Sequence, residues 1–307
     1  MAENRLEGVI IRSQSGFHTI ATVQGQYVCR LRGRLKRGPR LGDITALGDR
    51  VMISPLPDGT GAIEEILPRE RELIRMAPTP HGEYKQIFFA NLDQVFLVFA
   101  CAAPEPKLRM LDRFLVICEK QQIPAHIIAN KVDLIGKRTA KEMFGHYQSL
   151  GYPVHYTSIT DKRSVRKLKE QMIGKLSGLA GPSGVGKSSL LNVIQPELGL
   201  AVREVSESTE KGRHTTVVRT LHALKEGGYV ADLPGLKSLA LWDIEPEELD
   251  GYFPEIRERV ADCQFNDCMH LDDPGCAVRA AVEQGKIHPD RYESYLRMRL
   301  GDELDFE

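Results

Sequence analysis

The chain has almost no net charge: 41 Lys and Arg stand against 42 Asp and Glu, a formal charge of -1. A molecule so balanced is not drawn as a whole to nucleic acid, and any basic surface has to be local. Cysteine is too sparse for a disulfide scaffold, with 6 residues in 307. Cys29, Cys101 and Cys118 are isolated on apolar or strand-like segments and read as packing residues, whereas Cys263, Cys268 and Cys276 crowd together. No stretch approaches the roughly 18 continuous apolar residues of a membrane span. The opening MAENRLEGVI lacks the charged-then-apolar order of a secretory signal. These absences predict a soluble, cytoplasmic protein with no membrane partner. Internal repeats and low-complexity tracts are also missing. What is present is a hydrophobic fraction of 42% and enough length for two or three domains, so disorder is not the default.

Residues 1–72 hold short β-branched runs punctuated by Gly and Pro, among them GVIIRS, HTIATV, QYVCRLRG and DRVMISPL, which predict a small all-β barrel. The turn-rich RMAPTPHGEYKQ that follows reads as the first linker. From Asn91 the texture changes: LDQVFLVFA, a helix with Leu108, Leu111, Leu115 and Cys118 on one face, then AHIIA. Apolar runs alternating with amphipathic stretches predict a parallel sheet flanked by helices over 73–245. From Pro246 the strand pattern stops, and helical segments surround a Cys/His cluster, giving a small domain over 246–307 with a helix from Pro289 to Leu300.

Gly181-Pro182-Ser183-Gly184-Val185-Gly186-Lys187-Ser188-Ser189 satisfies G-x-x-x-x-G-K-[ST], between the strand-like LSGLA and the helix-like SLLNVI. Glycines let backbone N–H groups close around phosphate oxygens at a helix N-terminus; Lys187 neutralises the β/γ charge and Ser188 ligates magnesium. That loop alone does not choose between ATP and GTP. Asn130-Lys131-Val132-Asp133 follows the strand AHIIA and matches N-K-x-D. In that motif the Asp accepts from guanine N1 and N2, Lys131 lies along the base and Asn130 ties the loop to the phosphate loop. Thr157-Ser158-Ile159-Thr160 follows PVHYT and offers a backbone contact to guanine O6. Asp232-Leu233-Pro234-Gly235 matches D-x-x-G, whose Asp reaches magnesium through water and whose Gly N–H senses the γ-phosphate. Upstream, KGRHTT supplies a magnesium-binding threonine, Thr216 in preference to Thr215. Taken singly, the shorter motifs would be polar turns; it is the set that carries the reading.

The order is NKVD, TSIT, GPSGVGKS, KGRHTT, DLPG, whereas an ordinary small GTPase begins with the phosphate loop. A pocket built from loops at the C-terminal ends of parallel strands tolerates this permutation, because contacts in space do not depend on where the chain was cut. With these motifs and the C-terminal Cys/His cluster in this sequence, the chain resembles the RsgA family (also YjeQ or YloQ) of ribosome small-subunit-dependent GTPases over nearly its whole length. The resemblance implies an N-terminal OB-fold, a central permuted α/β P-loop GTPase domain and a C-terminal, mainly helical zinc domain. It also implies GTP/GDP with Mg2+ at the nucleotide site and late maturation of the small ribosomal subunit as the role. DLPG departs from the commoner DTPG of that family at Leu233, which lies outside the invariant chemistry. Where a GTPase often places a water-orienting Gln, this chain has Leu236 and then Lys237. Slow intrinsic hydrolysis is therefore expected, with His214 or the partner as the substitute polar group; His214 reads equally as a solvated loop residue.

Cys263-x4-Cys268-x-His270-x5-Cys276 offers three thiolates and one imidazole, the donor set of one closed, structural Zn2+ site. In the barrel, Arg30, Arg32, Arg34, Lys36, Arg37 and Arg40 make a run without an acid. Guanidinium forks suit phosphate, so this run is the candidate rRNA contact, against the bland reading of a solvated strand face. Three functions compete on these grounds: a GTPase acting as a monomer on the small subunit, a non-catalytic GTP-bound RNA-binding assembly factor, and an ATP-dependent kinase, against which NKVD argues.

Overall fold

The computed structural model describes residues 5–37, 42–79, 82–200, 220–233 and 244–301. Its first elements are β1 (Leu6–Gln14), β2 (Phe17–Thr22), β3 (Gly25–Leu31), β4 (Arg50–Pro55) and β5 (Thr60–Ile66). They close into a barrel in the order β1-β2-β3-β5-β4. Closure comes from β1 pairing antiparallel with β4 and from β3 pairing parallel with β5. This is the five-stranded OB arrangement. Alternation fills it: Ile10, Ile20, Cys29, Val51, Ile53 and Ile63 are all fully buried. Asp49, also fully buried, accepts from Arg69 Nε at 2.6 Å and Nη2 at 2.8 Å. The two-pronged guanidinium thus fastens the chain leaving the barrel back onto it.

The segment expected as a linker is instead the middle of an antiparallel hairpin. β6 (Glu72–Thr79) pairs with β7 (Gly82–Ala90), with Arg75 opposite Gln86 and Pro78 opposite Glu83. Pro78 and Gly82 are taken into the two paired strands, where pairing overrode the local composition.

Next come β8 (Gln94–Ala100), α1 (Leu108–Lys120), β9 (Ala125–Asn130), α2 (Lys137–Phe144), α3 (His146–Ser149), β10 (Val154–Tyr156), α4 (Lys162–Glu170), β11 (Leu176–Ala180), α5 (Lys187–Ile194), β12 (His222–Ala223) and β13 (Tyr229–Asp232). The strands form one sheet ordered β10-β9-β8-β11-β13-β12. β9 pairs parallel with β10 and β11 pairs parallel with β13, while β12 pairs antiparallel with β13. Every residue of β8 and β11 is buried, as helices on both faces of a parallel sheet require. The loops that follow β9, β10, β11 and β13 leave C-terminal strand ends, where α/β sheets bind ligands.

The chain packs as two compact units, Met1–Val95 with Arg166–Ala180 and Lys187–Pro234, and Phe96–Val165 with Gly181–Gly186 and Gly235–Glu307. In the second, the C-terminal residues add α6 (Pro254–Arg257), α7 (Ala277–Glu283) and α8 (Pro289–Arg299). Their core of Leu249, Phe253, Ile256, Val278, Ile287 and Tyr295 also takes in Val116 of α1. Beside it Arg291, 1% exposed, bonds Glu255 at 2.7 Å and Asp112 at 2.8 Å. Asp112 further accepts from Tyr147 and Ser294, at 2.7 and 2.5 Å. Burial opposes the Arg291 charge, but Asp112 and Glu255 outweigh it and raise the guanidinium pKa. Among the described residues no helix is long and apolar enough to cross a membrane.

Candidate nucleotide and metal sites

β9 delivers Asn130 to the end of a buried strand, with 1% of the residue exposed. Its amide nitrogen donates to the Val185 carbonyl at 2.8 Å, and its amide oxygen accepts from Thr157 Oγ1 at 3.0 Å. One side chain therefore joins the loops after β9, β10 and β11. Lys131 adopts the left-handed region, φ 59° and ψ 37°. Its ammonium donates to the Gly184 carbonyl at 2.8 Å and to that of Ala103. Val132 N–H donates to Thr157 O at 3.2 Å and opens the 3-10 turn Val132–Leu134. That turn leaves Asp133 exposed, with its carboxylate accepting no hydrogen bond from a described residue. A base offering two N–H donors would find acceptors there.

The phosphate loop needs its glycines. Gly181 at φ +152° lies against the Val98 carbonyl, and Gly186 takes φ +95°. A Cβ on Gly186 would sit 2.6 Å from Asn130 Nδ2, against the side chain that ties the loops together. Val185 is buried at 2% exposure and holds the loop from within, while Pro182 and Gly184 are half-buried and Ser183 is exposed. Lys187, Ser188 and Ser189 then form the first turn of α5, whose free backbone N–H groups favour anions. Ser158 is buried; its hydroxyl bonds Thr160 Oγ1 at 2.7 Å, and its own N–H reaches Ser164 Oγ only at 3.3 Å. The neighbouring Ile159 N–H, part of the TSIT segment that the sequence offers to guanine O6, bonds no described residue.

Asp232 ends β13, and its Oδ1 is buried with no hydrogen-bond partner among the described residues. Burial pushes its carboxyl above the usual range, with Lys187 and His222 opposing. A buried carboxylate oxygen without a donor fits a magnesium-bound water, as does the Ser188 hydroxyl on the first turn of α5. Thr216, His214 and Gly235 lie outside the described residues.

The four cluster residues come together as the spacing required. His270 Nδ1 lies 3.6 Å from Cys263 Sγ, 3.3 Å from Cys268 Sγ and 3.5 Å from Cys276 Sγ. Sulfur at about 2.3 Å and nitrogen at about 2.0 Å from zinc lie about 3.5 Å apart along a tetrahedral edge. Cys268, His270 and Cys276 are buried and Cys263 partly so, which leaves no side open to substrate. The other imidazole nitrogen, Nε2, is buried without a hydrogen-bond partner among the described residues and lies 3.8 Å from the Asp250 carboxylate, the kind of group to which a metal-bound histidine commonly donates. The cluster is compatible with a zinc ion. Cys29, Cys101 and Cys118 are buried, free thiols, and burial pushes that of Cys118 up to about 12.

The basic run is partly occupied internally. Arg32 Nε bonds Glu64 Oε1 at 2.8 Å, and Arg34 Nη2 reaches Glu64 O at 3.0 Å. Burial of Glu64 works the other way, yet the Arg32 and Arg34 guanidiniums hold its carboxyl below the usual range. Arg30 lies 4.0 Å above the Phe17 ring. Lys36 and Arg37 are exposed, and Arg40 lies outside the described residues.

Comparison with known proteins agrees with this geometry. A profile described as "RsgA N-terminal domain" matches residues 7–63, and one described as "RsgA GTPase" matches residues 66–242. A Gemmatimonas aurantiaca protein named small ribosomal subunit biogenesis GTPase RsgA is 45% identical over 301 residues, 97% of each chain. A Thermotoga maritima protein of the same name is 40% identical over 96% of each. Among solved structures, YjeQ from Thermotoga maritima aligns with a TM-score of 0.78 at 37% identity, covering 97% of this chain and 98% of that one. YloQ, described as a circularly permuted GTPase, gives 0.74 at 33% identity, covering 98% and 96%.

Proposed function

Because this chain belongs to the RsgA GTPase family, we propose that it docks on the small ribosomal subunit through rRNA, hydrolyses GTP faster when docked, and assists late maturation of the subunit. It is a GTP-hydrolysing enzyme of ribosome biogenesis. The observation that carries the mechanism is the tie between Asn130-Lys131 and the phosphate loop. It sets the guanine-reading loop and the phosphate-binding loop at a fixed spacing although they come from permuted stretches of chain.

On this reading Asp133 accepts from guanine N1–H and N2–H, and the Ser158–Ile159 backbone donates to O6. The Gly181–Gly186 amides and the Lys187 ammonium hold the phosphates; Ser189 supports the same helix turn. Magnesium, held by Ser188 and Thr216 and through water by Asp232, would draw charge from the β- and γ-phosphate oxygens. Gly235 would sense the γ-phosphate, and His214 or a group on the subunit would orient the attacking water. Residues 1–72 and 246–307 would dock on the subunit and 73–245 would turn over nucleotide, with one Zn2+ on Cys263, Cys268, His270 and Cys276 holding the C-terminal domain. Arg30, Arg32, Arg34, Lys36, Arg37 and Arg40 would face rRNA. The protein would work in the cytoplasm as a monomer.

GTP turnover with and without purified small subunits, across salt concentrations and with ATP as competitor, tests nucleotide, partner and electrostatics together. Turnover indifferent to subunits at every salt concentration would remove the proposed stimulation.

A further inference from the structure

The barrel run is not the sole basic surface among the described residues, and half of its cations are engaged internally. Of that run, Arg32 and Arg34 are bonded to Glu64, and Arg30 lies over Phe17. Helix α4 is different. Its sequence KRSVRKLKE holds five basic residues and one acid. Val165 and Leu168, at 2% and 0% exposure, bury one stripe. Lys162, Arg163, Arg166 and Lys167 are all exposed on the remaining face. None of the four makes an ion pair with a described residue; the fifth, Lys169, is bonded to Glu226 at 2.6 Å.

Folding alone does not favour this arrangement. Lys162–Arg166 and Arg163–Lys167 are like-charged pairs at i,i+4, which destabilise a helix. The first turn carries Lys162 and Arg163 and no acid, so cations occupy the end where the helix dipole disfavours them. Asp161, the acid just before the helix, is committed to the backbone: its Oδ1 accepts from Arg163 N–H at 3.0 Å and Ser164 N–H at 3.3 Å. Four unneutralised cations within six residues, on a chain of formal charge -1, therefore make a local positive stripe that the fold does not require. Two arginines and two lysines in adjacent rows can follow a run of phosphates, the arginines by two-pronged hydrogen bonds.

We propose that the exposed face of α4 is an RNA phosphate-backbone contact, through which the nucleotide-binding region itself engages rRNA independently of the barrel run. The inference rests on the reading that the chain docks on the small subunit. The contact is sequence-independent and tracks backbone, since phosphate contacts position without reading bases.

The test uses the full chain with Lys162→Gln, Arg163→Gln, Arg166→Gln and Lys167→Gln combined. A second variant carries only Arg166→Gln and Lys167→Gln, and a third has Arg30→Gln, Lys36→Gln and Arg37→Gln in the barrel. Binding to purified small subunits and to small-subunit rRNA freed of protein is measured from low to high salt. Each phosphate contact contributes about 0.7 to 0.9 to the slope of log affinity against log salt. The fourfold α4 variant should therefore lose about 3 from the magnitude of that slope on both probes, and the double variant about half as much. Thermal stability should hold or rise slightly, since the like-charged pairs are relieved, and subunit-free GTP turnover should stay at the wild-type level. An unchanged slope on both probes overturns the proposal, as does a loss seen on intact subunits but absent on free rRNA, which would assign the face to a ribosomal protein. If the wild type binds free rRNA but not subunits, the docking reading fails while the α4 slope still decides this inference. Failure of the wild type on both probes sinks both.

Discussion

The side-chain amide of Asn130 donates to the main-chain carbonyl of Val185 at 2.8 Å, joining two loops 55 residues apart in the chain. Both groups are buried, so removing the donor leaves the carbonyl without a partner, at a penalty of about 1–3 kcal/mol. Asn130→Ala should weaken GTP and GDP binding alike by roughly tenfold or more, since the base-reading loop loses its register against the phosphate loop. Gly186→Ala should do at least as much, because its new methyl would enter the space of Asn130 Nδ2 from a positive-φ position. Titration with a fluorescent GDP analogue checks both. Wild-type affinity in Asn130→Ala would show that the tie does not set the spacing.

Asp133 is exposed and accepts nothing from the described protein, which is the condition for reading a ligand by hydrogen bonds. Asp133→Asn replaces an acceptor-only carboxylate with an amide that both donates and accepts. Guanine, offering donors at N1 and N2, should then bind at least about a hundredfold more weakly, the scale of a lost pair of charge-assisted bonds. Xanthine, with a carbonyl where guanine has its 2-amino group, should become the preferred base. Competition among GTP, XTP and ATP reads this directly; retention of guanine preference would place base recognition elsewhere.

The parts legible in the sequence were those whose chemistry constrains residue type at fixed spacing. The phosphate loop, the N-K-x-D loop and the Cys3His cluster are short, and each comes from glycine conformation, donor geometry or metal-ligand chemistry, so local sequence carries them. The barrel and the parallel sheet were legible from alternating and continuous apolar runs. What escaped notice depends on pairing across distance. Arg75 to Gln86 looks like a linker until β6 and β7 are seen to pair along their length. Glu64 lies about 30 positions from Arg32 and Arg34, so nothing nearby showed that the basic run had a buried partner. The bonds from Arg291 to Asp112 span 179 positions, and no periodicity reports such a pair.

His270 and the three cysteines sit at metal-ligand separations inside a small core of Phe253, Ile256, Val278 and Tyr295. A structural ion bound there would contribute on the order of 10 kcal/mol to a core of that size. The protein should contain one zinc per chain by atomic absorption. Chelation or Cys276→Ser should unfold the C-terminal region in a separate, earlier thermal transition and abolish subunit-stimulated turnover. A zinc-free chain with an unaltered melting profile would show that the cluster holds together by packing alone.

His146 tests the acid sensitivity of the α3 and α8 contact. Its ring stacks on His288 with centroids 4.2 Å apart, and its Nδ1 is buried without a hydrogen-bond partner among the described residues. Burial first, then His288 and Arg291, lower its pKa from 6.5 to about 4, with Asp290 and Glu255 opposing. The folded state thus prefers the neutral ring, while the unfolded chain takes up a proton near pH 6.5. Its contribution is whole above that pH and declines as pH falls toward 4. His146→Phe keeps an aromatic ring and removes the proton site. Between pH 6.5 and 5 the variant should lose stability less steeply than the wild type in urea unfolding. Parallel curves over that interval would mean that His146 reaches solvent when protonated and does not couple the contact to pH.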